Sequence, residues 1–294
     1  MGSTEGRPEA SAALAEIRLS VADIPGCVAL SAEARWNQTA DDWQMMLGLG
    51  EGFGLMNPAG TLVATSLALA FPSGGFGWIS MVLVTESQRR RGLATRLMAC
   101  AMAALEARKL VSILDATPAG REVYRLLGFR DTWGIERMQC LEAPKLPAIP
   151  KVKVRRMTDT DWPAVCAMDA RAFCADRREL IGALRSRLPP AALVAEEGGT
   201  LRGFLLGRDG RIANDLGPCV ADSEDTAIAL LAAALDAVSA PVFLDMPAQH
   251  AKVGAWLRAA GFTLQRPYTR MLLERSEPFN DVRQLFAVAG PELG

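Results

Sequence analysis

The chain of 294 residues predicts an α+β fold, a mixed sheet with flanking helices, laid down twice in tandem. Three observations carry this. A short, β-branched apolar stretch, Trp78 to Val84, runs through a turn into an amphipathic segment that opens at Leu93. The pattern Gly128-Phe129, seven residues, Arg137-Met138 returns as Gly261-Phe262, seven residues, Arg270-Met271, and identical spacing at two sites marks a repeat. Between the copies lies Leu141 to Pro150, whose prolines remove ladder donors and favour an extended connector. Domains are expected at 12–142 and 152–294, with a proline-rich linker over 143–151.

The elements follow in order. Ile17 to Pro25 parallels Val154 to Pro163; each reads as a first strand followed by a helix with Asp23 or Asp161 near its start and proline in its first turn. Trp36-Asn37-Gln38-Thr39 precedes a second helix, where Thr39 and Asp42 fit a capping box. A hairpin comes next, Gly52 to Met56 and Thr61 to Phe71 around the turn Asn57-Pro-Ala-Gly60. After the strand that ends at Val84, Leu93, Leu97, Ala101 and Leu105 recur at helical spacing.

The junction Val84 to Ala94 carries the chemistry. Gly92 and Ala94 leave the backbone bare at a helix start, where unpaired N–H groups and the positive end of the dipole favour an anion. Arg89, Arg90 and Arg91 add charge beside it. Three arginines alone are an ordinary solvated run; their coincidence with a glycine just after a strand points to a phosphate cradle. The spacing is neither G-x-G-x-x-G nor a P-loop.

Arg89-x-x-Gly92-x-Ala94 resembles motif A of the GNAT-type N-acetyltransferases, and Leu114 to Phe129 resembles the closing part of that fold. The resemblance implies two GNAT-like domains, each a mostly antiparallel twisted sheet flanked by helices, splayed in the first copy at Trp78–Val84 to leave a slot for a thioester. It implies acetyl-CoA as cosubstrate. The pyrophosphate would lie on the turn formed by Arg89, Arg90, Arg91, Gly92, Leu93, Ala94 and Thr95, and the pantetheine arm along Val82, Leu83 and Val84. Tyr124, four residues before Gly128-Phe129, falls where many members place the acid that protonates the departing thiolate, a role for which a phenol with a pKa near 10 is suited. Members often carry Asn seven residues before that tyrosine, where this chain has Thr117. Glu86 and Glu33 are candidate bases, and Trp36, Asn37 and Gln38 candidate acceptor contacts, although a capped, packed helix pair accounts for the latter equally well. Asp169 to Arg177 and Phe286 to Gly294 resemble a bacterial tandem subgroup of the family.

The copies diverge at the chemistry. Asp222, Glu224 and Asp225 stand at the start of the second long helix and would repel a pyrophosphate, and Leu257 occupies the tyrosine position. The second domain is therefore expected to have a degenerate cofactor site, either walling the first domain's pocket or only stabilising it.

The remaining composition sets limits. A formal charge of −1 gives no basic footprint for nucleic acid. No apolar run approaches a membrane span, and Met1 to Pro8 lacks a basic region with an apolar core, so a cytoplasmic protein is expected. Six scattered cysteines without C-x-x-C, and a single histidine, His250, imply free thiols and no metal site. The expectation is direct acetyl transfer to an amine, most simply a small molecule, by a monomer or homodimer. The rival readings are a non-catalytic acyl-CoA-binding regulator and a protein-lysine acetyltransferase.

Overall fold

A computed structural model describes residues 14–294; Met1 to Pro8, read above for a leader, and the first two residues of the expected first domain lie outside them. The first half runs β1 (Ala15–Leu19), α1 (Ile24–Glu33), α2 (Ala40–Leu49), β2 (Gly50–Met56), β3 (Leu62–Phe71), β4 (Phe76–Val84), α3 (Leu93–Glu106), β5 (Val111–Ala116), α4 (Pro118–Leu126) and β6 (Phe129–Cys140). The second repeats it: β7 (Lys153–Arg156), α5 (Trp162–Phe173), α6 (Arg178–Arg187), β8 (Leu193–Glu197), β9 (Thr200–Arg208), β10 (Asn214–Ala221), α7 (Glu224–Ala237), β11 (Val242–Pro247), α8 (Ala251–Ala259) and β12 (Thr263–Leu273), with one addition, β13 (Leu285–Ala287).

Local chemistry sets several of these boundaries as the sequence suggests. Thr39 and Asp42 cap α2 reciprocally, with Thr39 N–H to Asp42 Oδ2 at 2.8 Å and Asp42 N–H to Thr39 Oγ1 at 3.2 Å. Asn57 Oδ1 accepts from the amides of Ala59 and Thr61 and shapes the β2–β3 turn. Gly77 lets α3 lie against β4, since a Cβ there would meet Leu105 Cδ2 at 2.3 Å.

One continuous sheet of 13 strands joins the halves, in the order β1-β2-β3-β4-β5-β12-β6-β11-β10-β9-β8-β7, with β13 beside β10. The centre holds an exchange. β12, from the second half, pairs antiparallel with β5, and β6, from the first, pairs antiparallel with β11. The repeated Arg-Met pairs of the sequence sit on these exchanged strands, and each arginine reaches across to the other half. Arg270 holds Asp115 through two bonds of 2.8 Å, stacked between Trp78 and Trp133 at 4.4 and 4.2 Å. Arg137 holds Asp245 at 2.8 and 2.7 Å beneath Tyr268 and Phe243. All four charged groups are buried, and bidentate geometry is what makes such burial tolerable.

The largest apolar core is likewise shared: Trp43, Met46, Phe71 and Trp78 of the first half pack with Val165, Phe173, Leu180 and Leu293 of the second. The two segments carrying the subgroup resemblance meet here. Arg177 is paired with buried Asp169 at 2.9 Å and donates to the Gly294 carbonyl at 2.5 Å.

Candidate active site

β4 and β5 run parallel and pair only over Phe76↔Val111, Gly77↔Ser112 and Trp78↔Ile113. Beyond Trp78 the strands part: β4 bends away at a bulge, while Leu114 to Ala116 stay paired with β12 on their far edge. Ser66 of β3 faces both Met81 and Val82 there, Met81 sits at φ 52°, and Thr65 Oγ1 fixes its carbonyl at 2.8 Å. The opening is a cleft of about 600 Å³ including its mouth, lined by Ile79 to Val82 on one side and Leu114, Asp115, Thr117 and Tyr124 on the other.

The ladder decides which amides of β4 face it. Thr85 donates its N–H to the Val63 carbonyl at 2.9 Å. By the alternation of an antiparallel pair, Val84 then presents its N–H and C=O to the open side, whereas Leu83 turns its own toward β3. Accordingly, the Val84 carbonyl accepts from Arg89 Nε at 3.2 Å.

At the end of β4 the chain makes one 3₁₀ turn, Glu86–Gln88, and enters α3 through Gly92 at φ 74°. Only glycine adopts that left-handed conformation at no cost, and a Cβ on Gly92 would meet nothing within 4 Å. The space ahead of the helix is therefore open. Arg96 N–H reaches the Gly92 carbonyl at 3.0 Å and closes the first turn; the amides of Gly92, Leu93 and Ala94 precede it and have no acceptor within the helix. Arg90 and Thr95 are exposed beside them, and Arg91 is bonded to Gln88.

Glu33 and Glu86 do not line the cleft. The Glu33 carboxylate accepts from Thr85 Oγ1 at 2.9 Å and from the Glu86 amide at 2.5 Å, tying α1 to the end of β4, and Glu86 is exposed. Thr117 lines the cleft but spends its hydroxyl as the N-cap of α4, accepting from Gly120 N–H at 3.2 Å. Tyr124 projects from α4 into the cleft, and burial pushes its phenol up to about 12.

The candidate acceptor residues divide. Trp36 and Gln38 line the cleft. Asn37 does not: it bridges to the second half, donating to Ala213 O at 2.9 Å and Asp215 Oδ2 at 2.8 Å, and accepting from the amides of Ile212 and Ala213.

Sequence reading missed the far wall. Tyr268, Arg137, Pro291 and Glu292 also line the cleft, so both tyrosines of the chain face it. Burial also pushes Tyr268 up to about 12. The Glu292 carboxyl is buried, which alone would raise its pKa; the Arg208 and Arg137 guanidiniums outweigh burial and hold it below its ordinary value. A signal for Tyr268 existed in the repeat, since it stands two residues before the repeated arginine. Its place beside β5 depends on the strand exchange.

The corresponding opening in the second half, between β10 and β11, is filled. Those strands pair over Asn214↔Val242 to Leu216↔Leu244, after which β10 pairs with β13 through Cys219↔Ala287 and Val220↔Leu285. Phe286 is buried against His250 with ring centroids 4.3 Å apart, and His250 Nε2 lies 2.9 Å from the carbonyls of Val282 and Leu285. The lone histidine thus holds the plug. From β13 the chain runs on through Val288, whose amide bonds the Asp245 carbonyl, to bring Pro291 and Glu292 to the first half's cleft. Asp222, Glu224 and Asp225 at the start of α7 bond to Thr226, to the Lys252 amide and to Lys252 Nζ.

Comparisons with known proteins bear on the family. A profile described as the acetyltransferase (GNAT) family matches residues 29–129, and one described as an acetyltransferase (GNAT) domain matches residues 165–287. The uncharacterized N-acetyltransferase YitH of Bacillus subtilis (strain 168) is 22% identical over 279 residues, covering 95% of this chain and 98% of that protein. Among solved structures, a putative acetyltransferase from Pyrococcus horikoshii is similar at TM-score 0.78 and 18% identity, covering 100% of this chain and 99% of that one. A tandem GNAT protein from the clavulanic acid biosynthesis pathway is similar at TM-score 0.62 and 15% identity, covering 88% and 98%. With a match on each half and whole-length likeness in fold, the chain belongs to the GNAT superfamily of N-acetyltransferases, in its tandem-domain subgroup.

Proposed function

We propose that the first half, residues 12–142, transfers an acetyl group directly from acetyl-CoA to a small-molecule amine, and that the second half, residues 152–294 beyond the 143–151 linker, keeps the fold without a cofactor site. The observation that carries this is the pairing of an open splay between β4 and β5 with a left-handed Gly92 at a bare helix start, set against a second splay filled by β13. The pyrophosphate would rest on the amides of Gly92, Leu93 and Ala94 with Thr95 beside them and the charges of Arg89, Arg90 and Arg91 around it. The pantetheine arm would run along the open edge of Val82 to Val84 and past Thr117.

In this reading the amine gives up a proton to water in the cleft and attacks the thioester carbonyl, and a main-chain N–H on the open edge of β4 steadies the oxyanion. The C–S bond then breaks as Tyr124 gives its proton to the sulfur, and the second proton leaving the nitrogen restores the phenol through water. The cleft is lined by residues of both halves, which suits a small molecule better than a lysine presented on a folded protein.

Two measurements test it. Tyr124→Phe should lower the rate of CoA release with an amine panel by roughly 10²-fold while leaving the acetyl-CoA Kd unchanged; full activity, or a loss that follows Tyr268→Phe instead, rejects the assignment. A proton donor works only while protonated, so with Tyr124 raised to about 12 its alkaline limb lies well above the ordinary tyrosine range. The rate should show no fall from about pH 8 to about pH 10, and a fall centred near the unperturbed tyrosine value of about 10 would contradict the raised phenol.

A further inference from the structure

We infer that the acceptor binds as a primary ammonium, lodged between Gln38 Oε1 and the Glu292 carboxylate, and that the C-terminal segment which fills the second half's splay supplies this subsite to the first. The inference rests on the acyl-transfer reading of the cleft and names its acceptor class.

Two independent observations carry it. The first is an unanswered acceptor. Gln38 is 3% exposed and lines the cleft, and its Nε2 donates to Glu292 Oε1 at 2.9 Å. A carboxylate only accepts, so this bond fixes which end of the amide is nitrogen and leaves Oε1 toward a donor; among the described residues it has none. Ser80 Oγ, also buried and lining the cleft, is equally without a partner.

The second is charge. Behind Glu292, Arg208 is buried among three carboxylates, with Asp215 at 3.1 Å, Asp42 at 3.6 Å and Glu292 in direct contact. Among the described residues, Arg187 also reaches the group but divides itself between Asp42 at 3.1 Å and exposed Asp209 at 2.7 Å, and Arg137 acts on Glu292 while bonded to Asp245. Asp42, Asp215 and Glu292 thus share Arg208, with Arg187 and Arg137 each divided with a further carboxylate. The remaining buried pairs, Arg137 with Asp245 and Arg270 with Asp115, are matched one to one. Burial raises Asp42 toward its neutral form, which relieves part of the excess, and Glu292 remains the negative group facing the cleft, where a positive charge is favoured. An ammonium supplies that charge together with N–H donors for Gln38 Oε1 and Ser80 Oγ.

The walls narrow the class further. Trp36, Met81 and Tyr268 offer apolar faces for a carbon frame. A carboxylate beside the amine would confront Glu292 and Asp115, and the charge of Arg137 is already matched by Asp245. Small primary amines are therefore favoured over free amino acids.

The test uses the full chain and calorimetry, first without cofactor. Butylamine and 2-phenylethylamine should bind, with 2-phenylethanol and phenylalanine about tenfold weaker or more. Glu292→Gln should weaken the amines by about tenfold or more and leave the acetyl-CoA Kd within about twofold. Should Glu292→Gln fail to fold, Gln38→Leu serves as the second variant and should weaken the amines alone. Equal binding of amine, alcohol and amino acid, no binding of either amine, or undiminished amine affinity in the folded variants would overturn the inference. A protein that binds the amines selectively but not acetyl-CoA would uphold the subsite and defeat the acyl-transfer reading. One that binds acetyl-CoA but neither amine would do the reverse.

Discussion

Gly92→Glu should fold and lose acetyl-CoA. A Cβ at this position meets no other atom within 4 Å, so the glutamate side chain projects into the open space ahead of α3 and disturbs no packing. The left-handed backbone, φ 74°, costs an L-residue about 1–2 kcal/mol. The larger effect is charge: a carboxylate about 4 Å from a phosphate at a protein surface is repelled by about 4 kcal/mol per pair of charges before screening. Affinity should fall by about two orders of magnitude or more, against about twofold for Gly92→Ala, whose backbone strain is common to the free and bound protein and lowers stability instead. Calorimetric titration of both variants with acetyl-CoA separates these contributions. If Glu and Ala behave alike, no anion rests on the turn.

Arg270→Met should be the most destabilising single change in the sheet. It strands the Asp115 carboxylate, fully buried, beside Trp78. Removing one partner of a buried pair typically costs about 3–5 kcal/mol, whereas replacing both with apolar residues is often neutral, so Asp115→Leu combined with Arg270→Met should recover most of the loss in chemical denaturation. The pH dependence has a definite sign. Burial raises Asp115 above the usual carboxylate value even with Arg270 opposing it, and removing Arg270 raises it further. A group whose folded pKa exceeds its unfolded pKa stabilises in the protonated form, so the deficit of Arg270→Met should be largest above the folded pKa and shrink as pH falls through it. A deficit that does not vary with pH would mean that lost stacking between Trp78 and Trp133, not a stranded charge, is responsible.

The two changes mark how far the sequence reaches. Gly92 was legible because a glycine-led helix start is a local construction: strand, glycine and helix lie within one short stretch, and their backbone geometry follows from neighbouring residues. The same holds for the Thr39–Asp42 cap, the Asn57 turn and the divergence of Asp222 to Asp225 from the arginine run. Arg270 was visible only as half of a repeat. Nothing near it in sequence says that its partner is Asp115, because a strand's neighbours are set by hydrogen bonds between distant segments. Asn37 and Glu33 show the same limit: their types suit ligand contact as well as structure, and only their partners, Asp215 with the 212–213 amides and the end of β4, assign them to structure.

By itself, then, the sequence determined the family, the two copies, and which copy keeps a glycine at a bare helix start. The tertiary structure decided the rest of the cleft: the exchange of β6 and β12, the filling of the second splay by β13, and the arrival of Tyr268 and Glu292 opposite Tyr124. The physical reason is range. Turn and cap energies are fixed within a few residues, whereas the far wall is built by burying apolar strands and pairing charges across more than a hundred positions of chain, as between Asp115 and Arg270.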